Sequence, residues 1–518
     1  MVFGADNLVA TLKAGGIEVC FANPGTSEIH VVSAFDRQPG IRCALTLFEG
    51  VATGAADGYA RMTDRPAATL LHLGPGLANG LANLHNARKA ESPVVNIVGD
   101  HATYHLQHDA PLTADVEGVA RPMSHWVRTA PDAASLAGLA AEAIAAARTP
   151  PGRIATLIVP ADAAWNETAP EVARPMHPPR PAAVAGEAVR AAAEALRTGQ
   201  RVAFFLDGPA LREDALAWAG RIAAATGARL IAKTLCARVD RGAGRVTAEK
   251  LPYPVAQAIE ALSTVDHLIL VGTKAPVGFF AYPDKPSVLT PEHCRIHTLA
   301  APGEDALQAL AWLAEEMGAH ARPVPVQELA PPTPAIGAVT PKAIGRSVAA
   351  LLPDHAVVVD ESITAGGFLY PPTDGARPHS WTHVTGGSIG YGPPVALGAA
   401  IACPDRRVVN LQADGSAMYT LQALWSQARE GANVTTVILN NRSYAILRVE
   451  LGNLGFQDPG AAARAMTDLT GPALDWVSLA KGMGVPAARA EDMETFNDLL
   501  ARSLATPGPF LIEAMMAG

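Results

Sequence analysis

The chain has 518 residues, 49% of them apolar and 17% charged, with a formal net charge of −9. That length suggests about three domains of a typical 100–200 residues each, and the acidic balance argues against a nucleic-acid-binding surface. No basic segment followed by an apolar stretch opens the sequence, and no run of about 18 apolar residues occurs, so neither a secretory leader nor a membrane span is expected. The cysteines (Cys20, Cys43, Cys236, Cys294, Cys403) are odd in number, scattered and without a Cys-x-x-Cys pair. They are expected to be reduced, mostly core residues of a cytoplasmic protein.

Residues 1–165 alternate helix and strand. A helix is predicted over Ala5–Ala14 and a strand over Val19–Ala22, then a turn at Asn23-Pro24-Gly25-Thr26-Ser27-Glu28 with a cap for the next helix. A strand over Cys43–Phe48 ends in Glu49, and residues 50–60 form a helix of small residues suited to close packing. Strands over Ala67–His72, ending in Gly74-Pro75-Gly76, and over Val94–Gly99 follow. Residues 166–185 read as a Pro-rich linker. Residues 186–320 form a second α/β unit with strands near Val202–Leu206, Leu230–Ala232, His267–Val271 and Arg295–Thr298. A second Pro-rich linker spans 321–340, and residues 341–518 form a third α/β unit. Strands alternating with helices imply α/β domains with doubly wound parallel sheets, three in all.

The most informative stretch is in the third unit. Arg407–Leu411 reads as a buried strand, followed by Ala413-Asp414-Gly415-Ser416 and a helix from about Met418 to Arg429. The next strand, Val434–Leu439, ends in Asn440-Asn441-Arg442-Ser443. Polar residues at the carboxyl ends of such strands are where open α/β sheets bind ligands. Asp414, the Asn441 side-chain oxygen and the Ser443 carbonyl are hard ligands that suit Mg²⁺. Gly415 lets the backbone approach a diphosphate, and the N–H groups around Ser416 that open the helix favour its charge. An isolated Asp-Gly-Ser reads equally well as a helix cap; Asn-Asn at the next strand end favours the ligand site. Glu49, at a strand-to-helix junction among Leu47, Phe48, Gly50 and Val51, is placed to share a proton with a ring nitrogen. Taken alone it reads equally as a helix-start Glu favoured by the macrodipole.

At Asp414-Gly415 and Asn440-Asn441 the chain resembles the thiamine-diphosphate enzymes, with Ala413 where that family usually has Gly. The resemblance extends over nearly the whole chain and is strongest to the acetolactate synthase and benzoylformate decarboxylase branch. It implies a pyrimidine-binding domain (1–165), a central domain (186–320) and a diphosphate-binding domain (341–518). It implies Mg²⁺ held by Asp414, Asn441 and Ser443, and diphosphate contacts at Thr364, after Glu361-Ser362-Ile363. In Gly386–Gly392, Ile389 matches the aliphatic residue that props the cofactor, and the Gly387 carbonyl would take its 4′-amino hydrogen. Phe48-Glu49-Gly50 with Ala55–Ala60 matches the motif whose Glu protonates N1′ of a cofactor anchored on a neighbouring subunit. Asn79 joins the cofactor contacts. The resemblance therefore implies a homodimer or homotetramer, and the small-residue helix would let the subunits approach closely.

On the substrate side, Thr26 stands in the loop where the decarboxylase carries a serine, and His72 matches a proton-transferring histidine. His72 also reads as a strand-end residue bonded to backbone. The decarboxylase's second histidine is missing from Val277-Gly278-Phe279-Phe280-Ala281-Tyr282. The Gly-Gln pair of acetolactate synthases is replaced by Gly99-Asp100-His101. Glu450 falls where the decarboxylase presents an aromatic, and would repel a substrate acid unless Arg448 or a substrate amine offsets it. His101, His105 and His108 are spaced to share a helix face, as a polar rim of the site or, less in keeping with the missing ligand partners, as a metal site. The expected function is Mg²⁺- and thiamine-diphosphate-dependent decarboxylation of a 2-oxo acid with acetolactate synthase-like carboligation. A simple decarboxylase and a non-catalytic regulatory paralogue are the alternatives. The sequence leaves FAD binding open.

Overall fold

The computed structural model describes residues 1–456 and 458–517. Three sheets, parallel except at one edge of the third, organise the chain. The first has 6 strands in the order Arg42–Leu45, Val19–Asn23, Ala67–Leu71, Val94–Asp100, Ile154–Pro160, Trp126–Thr129. The second has 5, in the order Glu249–Lys250, Arg229–Ala232, Val202–Leu206, His267–Val271, Arg295–Ala300. The third has 7: Val239–Arg241, His379–His383, Ala356–Glu361, Val408–Ala413, Val434–Asn440, Phe510–Met515, Ala487–Ala490. Central strands such as Val94–Asp100 and Val434–Asn440 are buried along their whole length, as near-continuous apolar runs between two helical layers must be. The third sheet borrows its edge: Val239–Arg241, from the middle of the chain, pairs antiparallel with His379–Trp381.

Several local expectations shift. The strand before Glu49 stops at Leu45, because Thr46 turns both its N–H and its hydroxyl onto the Ala22 carbonyl. The strand expected over Ala67–His72 stops at Leu71, and Gly74-Pro75-Gly76 opens the helix Leu73–Lys89; Pro75 sits in the first turn, where its missing N–H costs nothing. The helix expected over Met418–Arg429 is broken into Asp414–Ala417, a 3₁₀ turn Met418–Thr420 and Ala423–Arg429. The tight turn brings the Thr420 hydroxyl to the Gly390 carbonyl at 3.0 Å. The histidine stretch is a turn running into the 3₁₀ helix Leu106–His108, not an α-helix, with Thr103 tied to Asp162. The rings of His101, His105 and His108 still lie side by side, 5.4 and 5.7 Å apart. Among the described residues no group of His, Cys, Asp and Glu is arranged to hold a metal. Only Cys20 and Cys236 are buried; Cys43 is exposed and the other cysteines are intermediate. No helix among the described residues is long and apolar enough to cross a membrane.

The small-residue helix runs Glu49–Thr63 and is buried along nearly all its length. Its partner is the helix Gly392–Ala402 of the same chain. A Cβ on Gly58 would lie 2.2 Å from the Val395 carbonyl oxygen, and one on Gly398 would lie 1.9 Å from that of Ala55. The expectation that this surface joins subunits is therefore overturned: the close packing is spent within the protomer. Arg61 locks the pair. It bridges Asp57 at 2.7 Å, both side chains wholly buried, and donates to the His383 carbonyl, Thr385 and the Tyr391 hydroxyl.

Candidate active site

In the first sheet the chain leaves Val19–Asn23 for one neighbour and returns on the other side as Ala67–Leu71. Open α/β sheets have a crevice at such a switch point, beyond the carboxyl ends of the strands. The 3₁₀ turn Thr26–Glu28 follows one strand and His72 the other, with Thr26 exposed. Glu49, the first residue of its helix, is 6% exposed and accepts a hydrogen bond from Asn79 Nδ2 at 3.0 Å. Gly76 lies against both acid and histidine: a Cβ there would be 2.9 Å from Glu49 Oε1 and 3.2 Å from His72 Cβ. His72 Nδ1 is 2.8 Å from Glu28 Oε2. Glu49, Asn79, His72 and the Thr26 turn are thus gathered around one opening.

The third sheet reverses in the same way between Ala356–Glu361 and Val408–Ala413. Asp414 opens the helix that follows, 1% exposed, with Oδ1 taking the Gly415 N–H at 2.9 Å and Oδ2 the Arg442 N–H at 2.7 Å. Asn441 Oδ1 accepts from Ser443 N–H at 2.9 Å. The Arg442 carbonyl takes Leu469 N–H and Tyr444 N–H goes to the Thr467 carbonyl, so the Ser443 carbonyl lies outside that pair of bonds. Asp414, Asn441 and Ser443 are brought together as one oxygen-rich turn. Burial pushes the Asp414 carboxyl up to about 6 despite these donors, so its neighbours under-compensate a negative charge, and a hard divalent cation would suit it. Ser416 is buried, accepting from Gln412 and donating to the Ala413 carbonyl. Gly415 is required by packing as well: a Cβ there would be 2.5 Å from the Tyr444 ring. Thr364 is half-buried in the 3₁₀ turn Ile363–Ala365 on the adjacent strand end.

Three bulky residues beside these side chains hold the left-handed backbone conformation: Leu73 (φ 47°), Ile363 (φ 50°) and Arg442 (φ 58°). Such strain costs stability and collects at functional loops.

The loop with Gly387 and Ile389 is clamped from two sides. From the helix Leu73–Lys89, Asn86 Nδ2 donates to the Ser388 carbonyl at 2.8 Å and Asn83 Nδ2 to that of Gly390 at 3.2 Å. From below, Glu361 accepts the N–H groups of Gly390 and Gly392, each at 2.7 Å, and Gln412 Nε2 at 2.9 Å. Burial raises the Glu361 carboxyl to about 7. Sequence reasoning noted Glu361 only as a neighbour of Thr364; its part in holding the loop depends on contacts it could not supply. Gly387 has φ +71° and packs under Phe279, whose Cζ would lie 2.4 Å from a Cβ there. Phe279 also contacts the rings of Tyr253 and Phe280, so an aromatic wall stands where the second histidine was missed. Arg448 is not the partner of Glu450: it turns to Thr467. Glu450 instead accepts the Tyr282 phenol, which burial and that hydrogen bond push up to about 12.

Residues 3–119 match the family described as thiamine pyrophosphate enzyme, N-terminal TPP binding domain, and residues 370–514 match its C-terminal TPP binding domain. The chain is 51% identical over 514 residues to the acetolactate synthase large subunit-like protein IlvX of Mycobacterium tuberculosis (strain ATCC 25618 / H37Rv), covering 99% of each. It is 29% identical to benzoylformate decarboxylase of Pseudomonas aeruginosa, over 97% of this chain and 96% of that one. Among solved structures, the thiamine diphosphate-dependent 4-hydroxybenzoylformate decarboxylase of Rhodococcus jostii RHA1 superposes with a TM-score of 0.87 at 26% identity, over 99% of both chains.

Proposed function

The chain belongs to the thiamine pyrophosphate enzymes, and from that premise we propose that it is a Mg²⁺- and thiamine-diphosphate-dependent enzyme that decarboxylates a 2-oxo acid. The observation that carries the reading is the convergence of Asp414, Asn441 and Ser443 on one turn, with Glu49 and His72 at a second crevice. The oxygen donors and the under-compensated Asp414 charge fit Mg²⁺ and a diphosphate. Asp414, Asn441 and the Ser443 carbonyl would hold the metal; Gly415, Ser416 and Thr364 would line the diphosphate. When bound, the cofactor supplies a nucleophilic carbon and an electron sink. Glu49, kept in place by Asn79, would hold the proton shared with N1′, while Ile389 and the Gly387 carbonyl would orient the aminopyrimidine. The clamped loop gives both a fixed position, and the Phe279 wall would exclude water.

His72 decides between two fates of the decarboxylated fragment. Its pairing with Glu28 suits proton delivery, which favours release of an aldehyde. Carboligation of the acetolactate synthase type is the second reading, favoured by the 51% identity to an acetolactate synthase-like relative. The anchoring and proton-handling crevices would come from different subunits, which makes a dimer the smallest active unit and a tetramer the expected assembly; full activity of a monomer in analytical ultracentrifugation would refute this.

The test is purified protein with thiamine diphosphate, Mg²⁺ and a panel of 2-oxo acids, with and without added aldehydes. Carbon dioxide release with an aldehyde product supports the first fate, and a hydroxyketone product the second. No carbon dioxide from any acid, with the cofactor bound, would favour a non-catalytic binding subunit.

A further inference from the structure

Glu28 is 1% exposed, yet it makes two uses of one oxygen and none of the other. Oε2 accepts the Gly25 N–H at 2.7 Å and lies 2.8 Å from His72 Nδ1. Oε1 is buried and has no hydrogen-bond partner. Its space exists because residue 99 is glycine: a Cβ there would be 1.7 Å from Oε1. A Cβ on Gly25 would be 2.2 Å from His72 Nδ1, so the ring lies against the backbone of that turn. A Glu three residues after a helix cap explains the Gly25 bond. It explains neither complete burial nor an orphaned carboxylate oxygen, which is a cost that surface capping avoids.

We propose that Glu28 is a positioning residue for proton transfer: it fixes His72 with the hydrogen on Nδ1 and presents Nε2 to the substrate. The proposal rests on the decarboxylase reading above. Glu28 Oε2 already accepts the Gly25 N–H, and accepting the Nδ1 hydrogen as well would set the role of the other ring nitrogen. The His72 side chain is 24% exposed while that of Glu28 is 0%. With Nδ1 and Cε1 covered by Gly25 and Glu28, the Nε2 edge is left to the crevice. The proton passes from Nε2–H of the cationic ring to the substrate carbon that has lost carbon dioxide, and water restores it. Glu28 supports the ring's positive charge. The charged groups around the pair include Glu49, which lies with His72 against Gly76, and Asp100, whose carboxyl burial pushes up and which accepts the backbone N–H of His101 at 2.8 Å.

The test is ¹⁵N NMR of the His72 imidazole in the holoenzyme, combined with turnover of whichever acid of the panel reacts fastest. Wild type should show the single Nδ1–H tautomer. Glu28→Gln should lose it and slow turnover by about 10²-fold, at the lower end of what a general acid–base group contributes, with KM little changed. Glu28→Asp, which keeps a carboxylate, should recover part of both. The double variant Glu28→Gln/His72→Ala should be no slower than His72→Ala alone. An unchanged tautomer in Glu28→Gln overturns the proposal, and so does a double variant much slower than His72→Ala, which would mark Glu28 as merely structural. A shifted tautomer with full activity in His72→Ala would instead overturn the decarboxylase reading of His72, and the role of Glu28 with it.

Discussion

The first and third sheets reverse their strand order in the same way and open a crevice at the same place, but they fill it with different chemistry. In the first, the side chains beyond the strand ends are Glu49, His72 and Glu28, groups whose chemistry suits taking up or directing a proton. In the third they are Asp414, Asn441 and Thr364, set among backbone N–H and carbonyl groups that suit a cation and an anion. The backbone strain is shared between them, at Leu73 on one side and at Ile363 and Arg442 on the other. One architecture can thus offer two chemistries, because the chemistry is written in the few residues after each strand and the sheet supplies only their placement.

That division gives the largest expected effect. Asp414→Ala should abolish Mg²⁺-dependent binding of thiamine diphosphate, measured by calorimetry, while far-UV circular dichroism and the His72 tautomer stay as in wild type. Unchanged affinity would mean that the third-sheet crevice is not the anchor.

The next effect concerns what holds the two regions together. Arg61 and Asp57 are paired in full burial between the first unit and residues 383–391. Arg61→Ala leaves an uncompensated buried carboxylate and should cost about 3–5 kcal/mol of stability. A shift within about 0.5 kcal/mol in denaturant unfolding, the range of ordinary surface substitutions, would show that the two units do not depend on this joint.

What could be read from the sequence follows from the range of the interactions. The strand grammar of the sheets, and Asp414 with Asn441, were legible because each depends on a short stretch: an apolar run, then polar residues at its end. Glu49 and His72 were legible as strand-end residues. Glu28 was not, because it imitates a helix-capping Glu, and its burial comes from Gly99 on another strand and His72 just beyond the end of a third. Glu361 was passed over because its partners are the Gly390 and Gly392 amides and Gln412, the last 51 residues away. The helix Glu49–Thr63 was recognised as suited to close packing but assigned to the wrong partner: small residues announce a close neighbour without saying which chain supplies it.

A smaller effect tests whether the loop between the two crevices is held as described. The Glu361 carboxyl is raised by burial to about 7 from an ordinary 4.5. The folded state therefore binds its proton more tightly than the unfolded chain does. The stability this contributes is full below about pH 4.5 and is lost as pH rises through about 7. Wild type should thus lose stability relative to Glu361→Gln as pH rises over that window, read by denaturant unfolding at a series of pH values. A difference independent of pH would show that Glu361 does not titrate in the folded state as burial requires.

The most direct test of the proposed division of labour is hydrogen–deuterium exchange at C2 of bound thiamine diphosphate in Glu49→Gln. The substitution preserves size and a hydrogen bond to Asn79 but cannot share a proton with N1′. The expected result is cofactor binding close to wild type with exchange slowed by about 10²–10⁴-fold, the usual contribution of a general acid–base group. Exchange at the wild-type rate with the cofactor bound would contradict the assignment of proton handling to the first-sheet crevice.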